Sequence, residues 1–304
     1  LTQEFLSPEG VRTAFRVTGH GPAKVLLLHA LTGGPDAADA PGVKGWWGPM
    51  FEPGAPLSAT AAAVWTPNLA GSCYGSQGPE PRGGWSTRHQ AEVLAQWLRA
   101  EDLTFDALLG GSLGGMVALE LAVLEPGRFK AVGVIGCGGR ADAWLWGASE
   151  AQRAILASPS LGDAEAIALA RRVAMLTFRS PAGLAERFAA PGELRDWLAF
   201  HGKALAARFT RAAYAALLDA MDAHDLTRGR GPLPEVLASM GATLHVLGLE
   251  GDMLFSKACV DELIEAAREA GRLGEARWVR SPHGHDAFLI EWDQVKAWLK
   301  EVLP

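Results

Sequence analysis

Cysteine is scarce in this chain: Cys73, Cys137 and Cys259 are the three among 304 residues. They are too few and too scattered for a disulfide framework or a zinc site, and the expectation is a reducing compartment, the cytoplasm. An excess of basic charge is also missing. Lys and Arg number 28 against 34 Asp and Glu, a net charge of −6. Nucleic-acid partners call for a clustered basic surface, so none is expected. Long apolar runs are absent too. Residues 53–79 carry no charge, but Pro53, Pro56 and Pro67 and repeated Gly, Ser and Thr interrupt them. A spanning helix needs about 20 predominantly apolar residues, so no membrane segment is expected. The opening residues Leu1-Thr2-Gln3-Glu4 have neither a basic nor an apolar leader segment, and no signal peptide is expected. Glycine (36) and proline (18) are plentiful but aperiodic, which excludes collagen-like repeats.

What is present suits one folded unit. Apolar residues make up 49% and charged residues 20% of the chain, enough apolar surface to offset chain entropy. Residues 14–17, 24–28, 62–66, 105–109, 130–135, 243–249 and 276–279 read as strands. Gly19-His20-Gly21-Pro22 reads as the turn between the first two. Thr87 and Gln90 have the spacing of a capping box ahead of a helix with Val93, Leu94, Trp97 and Leu98 on its apolar face. Further helices carry Leu113, Val117, Leu121 and Leu124; Val260, Leu263, Ile264 and Ala267; and Val295, Trp298, Leu299 and Val302. Strands alternating with helices predict a mostly parallel sheet covered on both faces. Between 144 and 235 the strand signal vanishes. Three helical stripes replace it: Leu169, Val173 and Leu176; Leu194, Leu198, His201 and Leu205; Tyr214, Leu217, Leu218 and Met221. The expected organisation is an α/β core of residues 1–143 and 236–304 with an all-helical cap inserted at 144–235. His201 and His224 read as ordinary residues of cap helices, Cys73 as a buried thiol, and Trp46, Trp47, Trp144 and Trp146 mainly as packing residues.

Gly110-Gly111-Ser112-Leu113-Gly114 falls where a strand meets a helix. The pattern G-x-S-x-G permits a nucleophile elbow, because small residues two places either side of the Ser allow a very sharp turn. Ser112 is therefore the candidate nucleophile. A serine hydroxyl needs an adjacent base. Partners on such a fold follow in the order Ser, acid, His. His285 is the candidate base, with His283 as competitor. Asp252, just after the strand 243–249, is the candidate acid, with Glu250 as the alternative. The acid would hold the imidazole in its useful tautomer. Acyl chemistry also requires donors aimed at a developing oxyanion. The backbone N–H of Leu113, and that of Leu31 in His29-Ala30-Leu31-Thr32-Gly33-Gly34, are the candidates. No metal or resident cofactor is implied.

Together these motifs resemble the homoserine O-acyltransferase family of the α/β-hydrolase superfamily. His29 to Gly33 is similar to its oxyanion loop. Trp46-Trp47 with Cys73-Tyr74-Gly75-Ser76-Gln77-Gly78-Pro79 is similar to a second, family-specific stretch. Gly110 to Met116, Asp252-Met253-Leu254-Phe255 and Gly284-His285-Asp286-Ala287-Phe288-Leu289 are similar to its nucleophile, acid and base motifs. The resemblance implies an α/β-hydrolase fold and a ping-pong transfer in methionine biosynthesis. Ser112 would take the acyl group from an acyl-CoA co-substrate, acetyl-CoA by preference, and the hydroxyl of L-homoserine would then receive it. It further implies a cap arginine, Arg179 of Thr177-Phe178-Arg179-Ser180-Pro181, against the substrate carboxylate. Asp286 would meet the ammonium, Thr32 and Tyr74 would contact substrate, and a homodimer would form through the cap helices. Two departures stand out: Phe178 replaces the family tyrosine, and the section before Asp252 is short. Succinyl-CoA as donor, L-serine as acceptor, and an ester hydrolase with water as acceptor remain the alternatives.

Overall fold

The computed structural model describes residues 2–303. Eight strands form one sheet in the order β1-β2-β4-β3-β5-β6-β7-β8. They are β1 (Gln3–Leu6), β2 (Arg12–Thr18), β3 (Ala23–Leu28), β4 (Ala62–Pro67), β5 (Phe105–Gly111), β6 (Phe129–Ile135), β7 (Thr243–Leu249) and β8 (Leu273–Val279). From β4 across to β8 all neighbours are parallel. At one edge β2 pairs antiparallel with β4, and β1 antiparallel with β2. The mostly parallel sheet with helices on both faces is therefore present.

The central strands are buried on both sides, and their alternation divides the core. Leu26, Leu28, Leu108, Val132, Val134 and Val246 face one layer, packed on α1 (Thr87–Ala100), α2 (Leu113–Leu124) and α9 (Lys257–Glu269). Val25, Leu27, Leu109, Ile135 and Leu247 face the other, against α10 (Trp292–Val302), Trp47 and Met50. Successive side chains of a strand point to opposite faces, so near-continuous apolar runs follow from two covered faces. Between β6 and β7 the chain forms only helices: α3 (Ala143–Leu156), α4 (Asp163–Phe178), α5 (Pro181–Arg187), α6 (Pro191–Ala206), α7 (Arg211–Asp222) and α8 (Leu233–Ala238).

Several local expectations need correction. β1 is not foreshadowed by any apolar pattern, because it is an exposed edge strand. The segment Gly19–Pro22 does not close a hairpin, since β4 pairs with both β2 and β3 and lies between them. The cap of α1 is Ser86, whose hydroxyl accepts from the His89 N–H, one residue earlier than the Thr87–Gln90 reading. On α4 the buried face is Ala166, Ile167, Ala170, Ala174, Met175 and Phe178, and Leu176 is half-exposed. Small residues face inward there because neighbouring helices approach closely. His224 lies beyond the end of α7 rather than on it, and Cys73 is only partly buried.

Candidate active site

β5 ends at Gly111 and α2 begins at Leu113, so Ser112 alone makes the turn. Its backbone sits at φ 54°, ψ −125°, a conformation that strains a residue with a Cβ by about 1–3 kcal/mol. The flanking glycines are obligatory. A Cβ on Gly110 would lie 2.2 Å from the Gly114 carbonyl oxygen, and one on Gly114 would lie 2.3 Å from that of Leu28. The Ser112 N–H donates to the Ile135 carbonyl at 2.8 Å, tying the elbow to the end of β6. Leu113 opens α2, so its N–H has no acceptor within the helix and points from a helix N-terminus that favours negative charge.

Asp252 follows β7, and His285 lies in a short helical turn, Gly284–Leu289, after β8. Asp252 Oδ2 accepts from His285 Nδ1–H at 2.7 Å. Its other oxygen accepts from the N–H groups of Leu254 (2.7 Å) and Phe255 (3.0 Å). Both side chains are almost fully buried. This arrangement leaves Nε2 as the basic nitrogen. Burial is the largest influence on the His285 pKa and pushes it down. The charge and hydrogen bond of Asp252, helped by the charge of Asp286, outweigh it, so the net shift is upward. Ser112 and His285 make no direct hydrogen bond among the described residues; the imidazole lies beside Gly136, the residue after the carbonyl that accepts from the Ser112 N–H. A Cβ on Gly136, the residue after Ile135, would lie 3.4 Å from the ring. Phe288, 5.9 Å from the imidazole, packs its ring against Gly111. The competing acid stands elsewhere: Glu250 is exposed and ion-paired with Arg280.

The loop after β3 is held by its own histidine. His29 Nε2 accepts from the Leu69 N–H at 3.0 Å, so its proton is on Nδ1, which donates to the Ala30 carbonyl at 2.8 Å. Burial lowers its pKa to about 4. His224 behaves alike, its ring bonded to Thr87 and Gly138 and its pKa brought by burial to about 4. A histidine depressed from 6.5 binds protons more readily in the unfolded chain, so stability falls as pH drops from 6.5 toward 4. Two such groups imply a loss on the order of 3 kcal/mol each by pH 4. Urea unfolding at stepped pH measures this, and His224→Gln should halve the slope. A slope unchanged in that variant would refute the assignment.

The two adjacent indoles brace this loop and the histidine turn. Trp46 Nε1–H donates to the Gly34 carbonyl at 2.9 Å, and Trp47 Nε1–H donates to the Phe288 carbonyl at 3.1 Å. These tryptophans therefore do more than pack, and their adjacency in the sequence is the one signal that points to it. Thr32 and Tyr74 meet through a residue the sequence does not single out. Arg208, just past α6, donates to the Thr32 carbonyl at 2.7 Å and to the Tyr74 hydroxyl.

Arg179 caps the end of α4, where Ser180 starts α5 and donates to the Pro282 carbonyl beside the histidine turn. Gly284, at φ 64°, is required there, as a Cβ would lie 2.7 Å from the Ser180 nitrogen. Arg179 Nε and Asp286 Oδ2 are 3.0 Å apart, both side chains 14% exposed. The two residues expected to contact a zwitterion are thus paired with one another. Phe178 lies 5.8 Å from the His285 ring and 4.8 Å from the Arg171 guanidinium. Among the described residues no group of three or more His, Cys, Asp or Glu side chains could hold a metal, and no helix is long and apolar enough to cross a membrane.

Residues 24–160 match the family model of the alpha/beta hydrolase fold. Over 314 residues the chain is 36% identical to a homoserine O-acetyltransferase of Thermus thermophilus, covering 92% of this chain and 81% of that protein. The chain belongs to the homoserine O-acetyltransferase family. It is also 33% identical to the homoserine O-acetyltransferase of Chlorobium chlorochromatii, over 96% of this chain and 89% of the relative. The crystal structure of the Staphylococcus aureus homoserine O-acetyltransferase superposes with a TM-score of 0.83 at 25% identity, covering 98% of this chain and 92% of that one. Membership in this family of enzymes agrees with the presence of a strained serine at a strand–helix elbow and a buried Asp–His couple.

Proposed function

We propose that the protein transfers an acetyl group from acetyl-CoA to the hydroxyl of L-homoserine, a step of methionine biosynthesis, in two halves through an acetyl-Ser112 intermediate. The observation that carries the reading is the buried Asp252–His285 pair (2.7 Å) beside Gly136, in a chain of this family whose Ser112 forms a strained strand–helix elbow.

In the first half His285 Nε2 takes the Ser112 proton as the oxygen attacks the thioester carbon. The carbonyl oxygen gains negative charge, and the N–H groups of Leu31 and Leu113 donate to it. The tetrahedral species collapses, the C–S bond breaks, and His285 returns its proton to the departing thiolate. In the second half His285 deprotonates the homoserine hydroxyl, which attacks the acetyl carbon; the bond from that carbon to the Ser112 oxygen breaks, and His285 gives its proton to the departing Ser112 oxygen. Asp252 stays ionised and stabilises the imidazolium formed in each half.

The acceptor is a zwitterion. Arg179 meets its carboxylate in two-point fashion and Asp286 its ammonium. These residues pair with each other at 3.0 Å, so homoserine would exchange an internal ion pair for two external ones. Arg179→Ala removes one partner of that exchange and strands Asp286. The expected loss is about 2–5 kcal/mol, read mainly as a raised KM for homoserine. Steady-state assays with acetyl-CoA and homoserine check it; an unchanged KM would place the acceptor elsewhere. CoA release from acetyl-CoA at the same rate without homoserine would instead make the protein a hydrolase.

A further inference from the structure

The residue before each member of the acid–base couple is a glycine, and both glycines close on one residue of the helical segment between β6 and β7. Gly251 precedes Asp252 and Gly284 precedes His285, at φ 71° and 64°. A Cβ on Gly251 would lie 3.3 Å from Ser180 Cβ. One on Gly284 would lie 2.7 Å from the Ser180 nitrogen and 3.1 Å from the Gly251 carbonyl oxygen. We propose that Ser180 is a positioning residue for the base, its hydroxyl holding the loop that carries His285 within reach of Asp252. The proposal rests on the reading of Asp252 and His285 as the acid–base couple and adds the residue that keeps them together.

The local sequence makes the seat. Pro181 has no N–H and disfavours a helical residue before it, so α4 cannot run on through Ser180. Arg179 and Ser180 are accordingly extended, with ψ 145° and 151°, between the end of α4 and the start of α5. This two-residue break lies where the loops after β7 and β8 meet. Gly183 completes the fit, as a Cβ there would lie 2.0 Å from the Pro282 carbonyl oxygen. Gly183 and Gly284 have no room for a side chain at all, so the contact is backbone against backbone and leaves little slack.

Burial and hydrogen bonding give the hydroxyl its role. Ser180 is buried. Its oxygen accepts from the Gly183 N–H at 3.0 Å, which caps α5, and its proton goes to the Pro282 carbonyl. Pro282 stands three residues before His285. The hydroxyl therefore ties the start of α5 to the loop whose other end delivers the imidazole to Asp252 at 2.7 Å. A serine has one proton to give, and here it has a single taker. Removing it frees the Pro282 carbonyl from the helical segment and lets the base drift. The charges that face the imidazole are Asp252 and Asp286, the latter paired with Arg179. Arg179 is the neighbour of Ser180, so the proposed carboxylate contact and the anchor of the base share one stretch of backbone.

The test is the pH profile of kcat/KM for acetyl-CoA, at saturating homoserine, in Ser180→Ala, Ser180→Cys and Ser180→Thr, with urea melts to show that each is folded. Alanine removes the hydroxyl, cysteine fills the space with a weak donor, and threonine keeps the hydroxyl. The first two should lower kcat about tenfold, the scale of one buried hydrogen bond, with the acetyl-CoA KM unchanged. Their acid limb should move to lower pH, because an imidazole looser against Asp252 loses the carboxylate's support for its protonated form. Ser180→Thr should restore both values. Should the alanine variant not fold, the cysteine variant alone carries the comparison. Lower stability with kcat and limb both unmoved would overturn the positioning role, and so would an equal loss in all three variants. If Asp252→Asn shifts the limb and the Ser180 variants do not, the couple stands and this anchor falls. If none of them shifts it, the reading of the couple falls as well.

Discussion

Ser112→Ala is expected to lower CoA release from acetyl-CoA by about 10⁶-fold, the scale of losing a nucleophile from a triad. In the proposed mechanism the hydroxyl is the atom that forms the acyl bond. Cys137 is buried and its thiol is pushed far above the usual range by burial, so it stays protonated. Alanine keeps the Cβ, and therefore keeps the strain of φ 54° at position 112. Glycine does not. Ser112→Gly should be just as inactive yet unfold at higher denaturant, by about 1 kcal/mol or more, because glycine adopts positive φ freely. Stopped assays of thiol release and urea melts on both variants separate chemistry from folding. Residual turnover near wild type in either variant would remove Ser112 from the mechanism.

Asp252→Asn is expected to cost about 10⁴-fold in kcat while leaving the fold intact. The carboxylate accepts from His285 Nδ1–H and from two backbone N–H groups, which fixes both its own orientation and the imidazole tautomer. An asparagine amide can present its NH₂ to Nδ1, turning that nitrogen into an acceptor and moving the proton to Nε2. The base is then lost. The pH dependence carries a second signature. His285, the proposed base, would act when neutral, so kcat/KM should rise with pH through its pKa. Burial alone would set that pKa below the ordinary value, and the charge and hydrogen bond of Asp252 reverse the direction. The wild-type acid limb should therefore lie above the ordinary histidine value of about 6.5. In Asp252→Asn the burial influence prevails and the limb should move below it. A limb at the same pH in both proteins would mean another group titrates.

Much of the sheet is legible in the chain because central strands buried on two faces spell out apolar runs, as Val25 to Leu28 and Leu244 to Leu249 do. The edge resists for the same reason. Gln3–Leu6 is mostly exposed and carries no pattern that separates it from a loop. The stripe on α4 misleads when leucines are counted as inward and alanines ignored. Close helix packing instead selects the small residues. Arg208 carries no signal at all, since an exposed arginine past a helix end looks like any surface cation.

What the sequence alone determined is the local chemistry at position 112. Gly110 acts on the Gly114 carbonyl four residues on, a local steric exclusion that needs no knowledge of the rest of the fold, whereas Gly114 is required by the Leu28 carbonyl, which only the fold brings there. The motif order also narrowed the base and acid to pairs of candidates. Only the tertiary structure decided between them. His285 and Asp252 are separated by 33 positions and meet because parallel β7 and β8 deliver their C-terminal loops to one edge. Glu250, two residues before Asp252, is exposed and pairs with Arg280 instead. Likewise the Arg179–Asp286 pair exists only because α4 ends against the histidine turn. Sterics between adjacent residues are written in the chain; contacts across it depend on where the sheet register sets each loop down.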